Sequence, residues 1–480
     1  MNNIKIKAKY AVIWSGFERF SVQIVQFVIS VILARLLTPL DFGILAIILV
    51  IINILQVFNE VGFGAALMHK LDRDELDFST VFIFNIFLGF ILYGLLYFIA
   101  PLVSVFFELT ELTLLIRILG LNLIITSFVV VQKTRLMINV DFKTQAKASI
   151  IAVVISGFIG IYCAFIGMGV LALIIQLLFN NGICTILIWV FVKWKPSFQF
   201  SHKRLVSFFN YAYNLILARF INSVFQEIYS LAIGKVFNPS QLGFFNRAKS
   251  FEQLFTNNIT SIVQRVSTPL LCEEQKNNEK LGIVLLKFIQ NTALIVYPLL
   301  FGMFVLAKPL IIVLLTEKWL PTVWILQVLC FVGIFYVGST FNMNVFNATG
   351  RTDLALKSEI IKKCIFVFIL VVAIYFGFEV LVYSQILIAV IEFSIDTFYT
   401  KKQINLSVWK QIKSVSGIFL ASLIMAIVVW LITLIINNYV QKLLLGMIIG
   451  IIVYILLCYY NNIANFKSFV LHIVHKEQKS

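Results

Sequence analysis

The sequence predicts an all-α integral membrane protein of about 14 transmembrane helices, with two parallel-repeat six-helix lobes around a central cavity and two extra C-terminal helices. Three observations predict this fold. Of the 480 residues, 61% are hydrophobic and 12% are charged, and the mean hydropathy is +0.98, which is too apolar for a soluble domain. Apolar stretches long enough to cross a bilayer recur along the whole chain. Residues near the start of the chain also recur 200 positions later.

The apolar stretches are separated by short polar loops. Glu18 and Arg19 interrupt the first stretch, which continues without a small-residue cleavage site, so it is predicted to be a retained helix and not a signal peptide. The shortest loop, Gly167-Met168-Gly169, predicts a tight helical hairpin. The fourteen predicted helices cover about residues 10–34, 42–62, 80–106, 112–131, 148–167, 169–192, 208–234, 242–271, 283–306, 322–347, 360–377, 379–399, 414–436 and 442–461.

Six residues near the N-terminus recur in the same order and spacing, and this indicates an internal duplication. The repeat predicts an N-terminal lobe at 1–200, a C-terminal lobe at 201–402, and helices 13 and 14 with a cytoplasmic tail at 403–480. Its proline and glycine members lie between consecutive helices, so they predict turns. The recurring residues are Arg19, Phe20, Gln26, Ser30, Pro39 and Gly43, which correspond to Arg219, Phe220, Gln226, Ser230, Pro239 and Gly243.

The basic residues of the loops predict the orientation of the chain. The formal net charge of +16 could indicate a nucleic-acid partner, but the lysines and arginines concentrate in alternate loops. That distribution follows the positive-inside rule and places both termini in the cytoplasm, so no nucleic-acid partner is predicted. The predicted outer loops hold only Arg35, Lys235, Lys308, Lys318 and Lys442.

Polar side chains form faces on four of the predicted helices. In helix 8 six amides and hydroxyls follow a spacing of three and four residues, which places them on one side of the helix. Helices 1, 2 and 7 show thinner versions of the same pattern. Because helices 1 and 7, and 2 and 8, are equivalent in the repeat, the two halves are predicted to face each other across a watery cavity. The helix 8 face comprises Asn246, Ser250, Gln253, Asn257, Ser261 and Gln264.

Charged residues inside apolar helices supply the candidate site, because a charge in a membrane helix is a functional hypothesis by default. The guanidinium fork of arginine suits phosphate, and amides suit sugar hydroxyls. Three acidic residues, Glu60, Glu227 and Glu252, could bind a coupling proton or sodium ion, or could form salt bridges. The predicted substrate-binding residues are Arg19, Arg219, Gln26, Gln226, Asn53, Arg247, Gln253 and Asn257.

The sequence holds no pattern that indicates catalysis, a metal or another cofactor. The six cysteines occur singly, and the HxxH formed by His472 and His475 lies in a lysine-rich tail that is predicted to be solvated. There is no Gly-rich phosphate loop and no HExxH motif. The predicted outer loops are too short to house an acid/base pair. We therefore expect a carrier and not an enzyme.

Several segments resemble the bacterial polysaccharide transporter family, in particular the Wzx-type lipopolysaccharide, colanic acid and teichuronic acid exporters of the multidrug/oligosaccharidyl-lipid/polysaccharide superfamily. The resemblance implies a flippase in the bacterial cytoplasmic (inner) membrane that moves an undecaprenyl-diphosphate-linked oligosaccharide outward by alternating access. Its implied partners are the polyprenyl-diphosphate-linked glycan, membrane lipids, polysaccharide polymerase and glycosyltransferases. The segments read ARLLTPLDFG at 34–43, VGFGAALM at 61–68, LGFFNRA at 242–248, LLTEKW at 314–319 and NATGRTD at 347–353.

Two other functions stay open at this stage. A multidrug exporter of the same superfamily would have the same fold, although the excess of cations over acids in helices 7 and 8 disfavours its usual cationic cargo. A membrane glycosyltransferase or polymerase that acts on the same lipid-linked sugars would need a sizeable outer domain, which the predicted loop lengths disfavour.

Overall fold

The computed structural model describes residues 21–60 and 62–463, and within them the regular structure is helical. The predicted all-α membrane fold is therefore confirmed. A short 3₁₀ helix, Glu317–Trp319, follows α12. The helices are α1 Ser21–Leu36, α2 Pro39–Glu60, α3 Gly62–His69, α4 Glu75–Phe107, α5 Leu112–Ser127, α6 Val130–Ile138, α7 Phe142–Phe165, α8 Val170–Val192, α9 His202–Val236, α10 Pro239–Glu273, α11 Asn278–Val305, α12 Ala307–Leu315, α13 Thr322–Ala348, α14 Thr352–Phe376, α15 Phe378–Ile404, α16 Val408–Ile435 and α17 Tyr439–Tyr460.

Fewer helices of the structure meet a hydropathy criterion for membrane crossing than the fourteen that the sequence analysis predicts. Among the described residues, nine helical segments are long and apolar enough to cross a membrane, and α5 with α6, bent by 41°, would make ten. The helices α9, α10 and α14 are long enough but carry too many polar or charged residues. The predicted count of fourteen thus depends on these three polar helices and on α1, whose described part, Ser21–Leu36, is too short to meet the criterion, and it stays a prediction.

The predicted hairpin at 167–169 is confirmed. The helix α7 ends at Phe165 and α8 begins at Val170, and the two helices pack against each other. Gly167 and Gly169 both have positive φ, at 82° and 53°. Glycine adopts this conformation without a steric penalty, so the chain can reverse direction within the four residues 166–169.

The two copies of the repeat begin their second helix with the same chemistry. In the first copy Thr38 precedes Pro39. The Asp41 carboxylate accepts hydrogen bonds from the Thr38 hydroxyl and, at 2.8 Å, from the Thr38 backbone N–H. In the second copy the Asn238 side chain accepts from the backbone N–H of Gln241 at 2.8 Å. A polar cap followed by proline is a helix-start pattern, because proline needs no N–H in the first turn. Pro39 and Pro239 are the first residues of α2 and α10, so these helices begin about three residues before the predicted starts at 42 and 242.

The repeated glycines have a different role from the predicted turn. Gly43 and Gly243 lie inside α2 and α10, where the first turns of these helices touch. A β-carbon on Gly43 would lie 1.7 Å from the carbonyl oxygen of Pro239, and one on Gly243 would lie 2.0 Å from that of Pro39. Both distances are impossible for a side chain, so glycine is required by the close approach of two backbones.

Two compact units divide the chain, one up to Gly243 and one from Phe244. Unit 1 has an aromatic core in which Phe82 packs edge-on against Trp189 and Trp194, with both pairs of ring centroids 5.6 Å apart. Unit 2 is built around fully buried residues that include Trp319 and Phe341. The predicted lobe boundaries at 200 and 402 come from the sequence repeat, whereas these units are defined by spatial contacts. The lobe boundaries therefore stay predictions.

Candidate substrate-binding site

An exposed polar surface of unit 1 carries several of the predicted ligand-binding residues. Arg219 and Gln226 lie two turns apart on α9, and both side chains are exposed. Within the described part of the chain, neither of them makes a hydrogen bond or an ion pair, and the same holds for the exposed Gln26 of α1. These three side chains are therefore available to a ligand. Arg19, their predicted partner, lies outside the described residues.

Two predicted residues of different assigned roles meet in unit 1. Asn53 of α2 donates a hydrogen bond from its Nδ2 to Oε1 of Glu227 on α9, at 3.0 Å. Gln56 lies one turn after Asn53 and extends the polar side of α2. Phe220, which follows Arg219 in α9, packs against Phe58 of α2 with ring centroids 5.3 Å apart. The predicted acid Glu60 is at the end of α2, and its side chain lies outside the described residues.

The polar face of α10 in unit 2 has the exposure that its spacing predicts. Asn257 is exposed and Gln253 is half-buried, and neither makes a hydrogen bond to any residue that the structure describes. On the opposite side Phe251 is buried and Phe255 is half-buried. The side-chain amides of Gln253 and Asn257 can each donate and accept hydrogen bonds, which suits the hydroxyls of a sugar.

Two of the predicted residues of α10 are buried within unit 2. Arg247 is 7% exposed and lies over the ring of the fully buried Trp319, with its Cζ 5.4 Å from the ring centroid. Glu252 is 8% exposed and packs against Gly333 of α13, where a β-carbon would lie 2.6 Å from its Oε1. The structure thus separates Arg247 and Glu252 from the exposed amides. Their predicted roles as ligand and ion-binding residue stay predictions.

A buried charge cluster of unit 2 was not predicted from the sequence. Lys362 of α14 lies between Glu359, at 2.5 Å, and Asp396 of α15, at 3.1 Å. Counting loop cations assigned Lys362 to the cytoplasm, whereas its side chain is only 7% exposed. The signal that could have revealed the cluster is the spacing of Glu359 and Lys362, which suits an ion pair on one helix face.

A second charged group closes one end of unit 1. Asp77 of α4 is fully buried between Lys70, at 2.7 Å, and Arg204 of α9, at 2.9 Å, beside a cavity of about 410 Å³. Asp74 caps α4 and also pairs with Arg204. The Arg204 hydrogen bond holds the pKa of Asp74 below its ordinary value. The cluster fastens the start of α9 to the start of α4.

Unit 2 also contains an apolar cavity of about 400 Å³. It lies among α11, α16 and α17, with contributions from α12 and with Phe255 of α10 at its border. Small and flexible side chains, including Gly302, Met425 and Gly446, leave the space open. A cavity with this lining can bind a hydrocarbon chain but not a sugar.

Comparison with known proteins identifies the lineage of this sequence. Residues 32–324 match the family model described as "Polysaccharide biosynthesis protein". The chain is 29% identical over 345 residues to the teichuronic acid biosynthesis protein TuaB of Bacillus subtilis (strain 168), covering 71% of each chain. It is 23% identical over 362 residues to the lipopolysaccharide biosynthesis protein WzxC of Escherichia coli (strain K12), covering 74% of this chain and 72% of that protein.

The fold is also shared with a solved membrane protein. The lipid II flippase MurJ, in an inward closed conformation, superposes with a TM-score of 0.76 at 18% identity. The match covers 94% of this chain and 99% of that chain. At this identity the likeness establishes the fold alone.

Proposed function

This chain belongs to the polysaccharide biosynthesis protein family, and we propose that it moves undecaprenyl-diphosphate-linked oligosaccharide repeat units across the bacterial cytoplasmic membrane by alternating access. The relatives are named for the biosynthesis of teichuronic acid and lipopolysaccharide, and the fold is that of a lipid flippase. We further propose that the cargo moves from the cytoplasmic to the outer leaflet and that both termini of the protein lie in the cytoplasm. The concentration of lysine and arginine in alternate loops supports this orientation.

Arg219 carries this proposal. It is an exposed arginine within a long helix of a membrane protein, and no described residue offers it an ion pair or a hydrogen bond. A bare guanidinium inside a membrane is costly unless water or a ligand compensates it. A diphosphate offers paired oxygens that match the guanidinium fork and restore the charge balance.

Amide side chains of both units supply the remaining contacts in this proposal. Gln226 lies seven residues further along α9, which is about 10 Å and the same helix face. Gln26 of α1, and Gln253 and Asn257 of α10, are further amides that make no hydrogen bond to a described residue. We assign the diphosphate to Arg219 together with Arg19, and the sugar hydroxyls to these amides.

The apolar cavity of unit 2 suits the polyprenyl chain of the same cargo. Its lining is almost entirely hydrocarbon and includes Gly302, Met425 and Val429. Because the lining is as apolar as lipid hydrocarbon, an isoprenoid segment can move from the bilayer into this cavity without a desolvation cost. We therefore assign a segment of the polyprenyl chain to this cavity and the charged head to the polar surfaces.

Replacement of Arg219 tests the proposal. Arg219→Ala should abolish surface polysaccharide, with the chain still present in the membrane at its normal amount, whereas Arg219→Lys should keep part of the export because the charge remains. Arg117→Ala is the matched control. Arg117 also lies in an apolar helix of unit 1, but it stacks on Tyr97, with its Cζ 3.8 Å from the ring centroid, so its loss should leave export intact. Normal export by Arg219→Ala would contradict the proposal.

Two further measurements separate the competing functions. Purified protein in liposomes should move a fluorescent polyprenyl-diphosphate sugar between leaflets. Drug resistance conferred on a sensitised strain, with no effect on lipid-linked sugars, would indicate a multidrug exporter. Elongation of the glycan by the purified protein would indicate a glycosyltransferase or polymerase.

A further inference from the structure

The cavity of about 410 Å³ in unit 1 has no part in the proposed cargo site. It lies where α4 and α9 begin, and its lining combines basic side chains, serine hydroxyls, one carboxylate and one aromatic ring. The mixture is polar enough to hold a charged group and has a ring at its base. The lining residues are Lys70, Asp77, Ser201, Lys203, Arg204, Ser207 and Phe208.

Two of the cations in this cavity are held in place by the carboxylate of Asp77. Lys70 lies 2.7 Å and Arg204 2.9 Å from Asp77, which is fully buried. The Lys70 ammonium also lies 5.7 Å from the ring centroid of Phe208. Both cationic side chains remain 31% exposed. An ammonium has three donors and a guanidinium has five, so both keep N–H groups that can reach a ligand.

The other polar groups of the lining are free to bind. Lys203 and Ser207 are exposed on the first turns of α9, and Ser201 directly precedes this helix. No described residue forms an ion pair or a side-chain hydrogen bond with any of the three. The Ser201 hydroxyl does not cap α9. One ammonium and two hydroxyls are therefore available in addition to the two fixed cations.

The charges around the cavity leave one positive charge over. Lys70, Lys203 and Arg204 carry three positive charges, whereas Asp77 and its neighbour Asp74, which pairs with Arg204, carry two negative ones. A ligand with a single negative charge balances this group. A phosphate diester has that charge, and its oxygens accept hydrogen bonds from ammonium, guanidinium and hydroxyl groups.

The cavity also lies at the edge of a membrane-crossing segment. The helix α8 meets the criterion for membrane crossing and ends at Val192, and the segment 193–201 leads from there to the cavity. This segment is fastened to the start of α4, because Trp194 donates a hydrogen bond from its Nε1 to Glu75 at 2.6 Å. The backbone N–H of Ser197 donates to the Ser79 hydroxyl at 2.9 Å. The cavity is thus fixed at headgroup level.

Two aromatic rings of the same segment point outward. Phe198 is 80% exposed and Phe200 is 49% exposed, and Lys193 and Lys195 are exposed beside them. Aromatic rings next to basic residues at the end of a membrane helix are typical of segments that lie among lipid headgroups. Phe200 is the direct neighbour of Ser201 in the cavity lining, so a ligand in the cavity that also has an apolar part can contact this ring.

We propose that this cavity binds the phosphate diester of an anionic membrane phospholipid such as phosphatidylglycerol. Lys203, Ser201 and Ser207 bind the phosphate oxygens together with the remaining donors of Lys70 and Arg204. A diphosphate would bring more negative charge than the cavity balances, and a zwitterionic phospholipid would bring no net charge. Only the assignment to the cytoplasmic leaflet depends on the orientation given in the proposed function, and the binding itself does not.

Titration of the purified full-length protein with phosphatidylglycerol, followed by native mass spectrometry, tests the site. Lys203→Gln should weaken binding roughly fivefold, because one cation near a membrane surface contributes about 1 kcal/mol. Lys195→Gln is the matched control, since Lys195 is exposed on the same segment but does not line the cavity. It removes the same charge and should leave the affinity unchanged. Both variants should keep the thermal midpoint of the unsubstituted protein, because neither lysine has a partner among the described residues.

Three other ligands identify the source of the phosphate. Phosphatidylethanolamine should bind more weakly than phosphatidylglycerol because it has no net charge. Inorganic phosphate at millimolar concentration should not displace the lipid, because it has no apolar part to contact Phe200. For the same reason Phe200→Ser should weaken the binding of phosphatidylglycerol. A polyprenyl diphosphate should not compete for this cavity.

Four outcomes would overturn the proposal. Equal weakening by Lys203→Gln and Lys195→Gln would show a diffuse attraction to the basic surface and not a site. Equal binding of the zwitterionic lipid would show that charge does not select the ligand. Displacement by inorganic phosphate would assign a free anion to the cavity, and displacement by polyprenyl diphosphate would assign the cargo to it. Binding of phosphatidylglycerol by a protein that fails to move the cargo in liposomes would contradict the proposed function alone.

Discussion

Asn53 and Glu227 link α2 to α9 through a hydrogen bond of 3.0 Å between the amide nitrogen and the carboxylate oxygen. The sequence predicts a substrate-binding role for Asn53 and, for Glu227, either ion binding or a salt bridge. The bond shows that each side chain already has a partner in this conformation. It also joins the second helix of one repeat copy to the first helix of the other.

Substitution of Glu227 separates its charge from its hydrogen bond. We expect Glu227→Gln to keep most of the export, because the glutamine oxygen can still accept from Asn53. Glu227→Leu should destabilise the protein by about 0.5–1.5 kcal/mol, because it removes this hydrogen bond while the exposed Asn53 amide stays accessible to water. Leaflet transfer in liposomes and the thermal unfolding midpoint measure the two effects. Complete loss of transfer in Glu227→Gln would instead make Glu227 the coupling residue.

Gly43 should tolerate no side chain. Gly43→Ala places a β-carbon 1.7 Å from the Pro239 carbonyl oxygen, so the helices must move apart. We expect a loss of about 1–3 kcal/mol in the free energy of unfolding, and reduced export. Gly94→Ala is the control, because no atom lies within 4 Å of its β-carbon. It should be neutral or stabilising by up to about 1 kcal/mol, since alanine favours helices. Equal thermal midpoints for the two variants would refute the close contact.

The pairing of Asp74 with Arg204 predicts a dependence of stability on acid. The pKa of Asp74 is lowered by Arg204, so this pair stabilises the fold above the unfolded pKa of about 3.9 and loses its effect as the pH falls through the lower folded value. Arg204→Ala should lower the thermal midpoint at pH 7 and reduce its decline below about pH 4. An unchanged acid profile in Arg204→Ala would show that the pair does not contribute.

Filling the apolar cavity should have opposite effects on stability and on transport. A β-carbon on Gly302 would meet only Met425, at 3.9 Å, so Gly302→Leu can grow into the open space. We expect a gain of about 0.5–2 kcal/mol in stability, together with slower transfer of long-chain polyprenyl substrates. Gly182→Leu, in α8 of unit 1, is the control, because no atom lies within 4 Å of its β-carbon. If Gly302→Leu stabilises the protein but leaves leaflet transfer unchanged, the polyprenyl chain does not bind in this cavity.

Much of the fold follows from patterns that are local in the sequence. The hairpin at Gly167 and Gly169 and the starts of α2 and α10 at proline depend on a few neighbouring residues, so the chain itself specifies them. The count of membrane crossings does not follow from local patterns in the same way, because α9, α10 and α14 have the length of a spanning helix but contain polar residues that lower their hydropathy.

The site was less predictable because it depends on long-range packing. Periodicity placed Gln253 and Asn257 on one face of α10, and both are accessible as expected. It could not show that Arg247, on the same helix, is buried against Trp319, which is far away in the sequence. Lys362 was counted as a loop cation for the same reason, since its partner Asp396 lies on the next helix.

The reciprocal contact of Gly43 with Pro239 and of Gly243 with Pro39 has the form of an isologous interface, in which residue i touches residue j and j touches i. Because both sides of this contact belong to one chain, each glycine can be substituted separately. A side chain at either position would meet a backbone carbonyl, so a change on one side alone is enough to push the two helices apart.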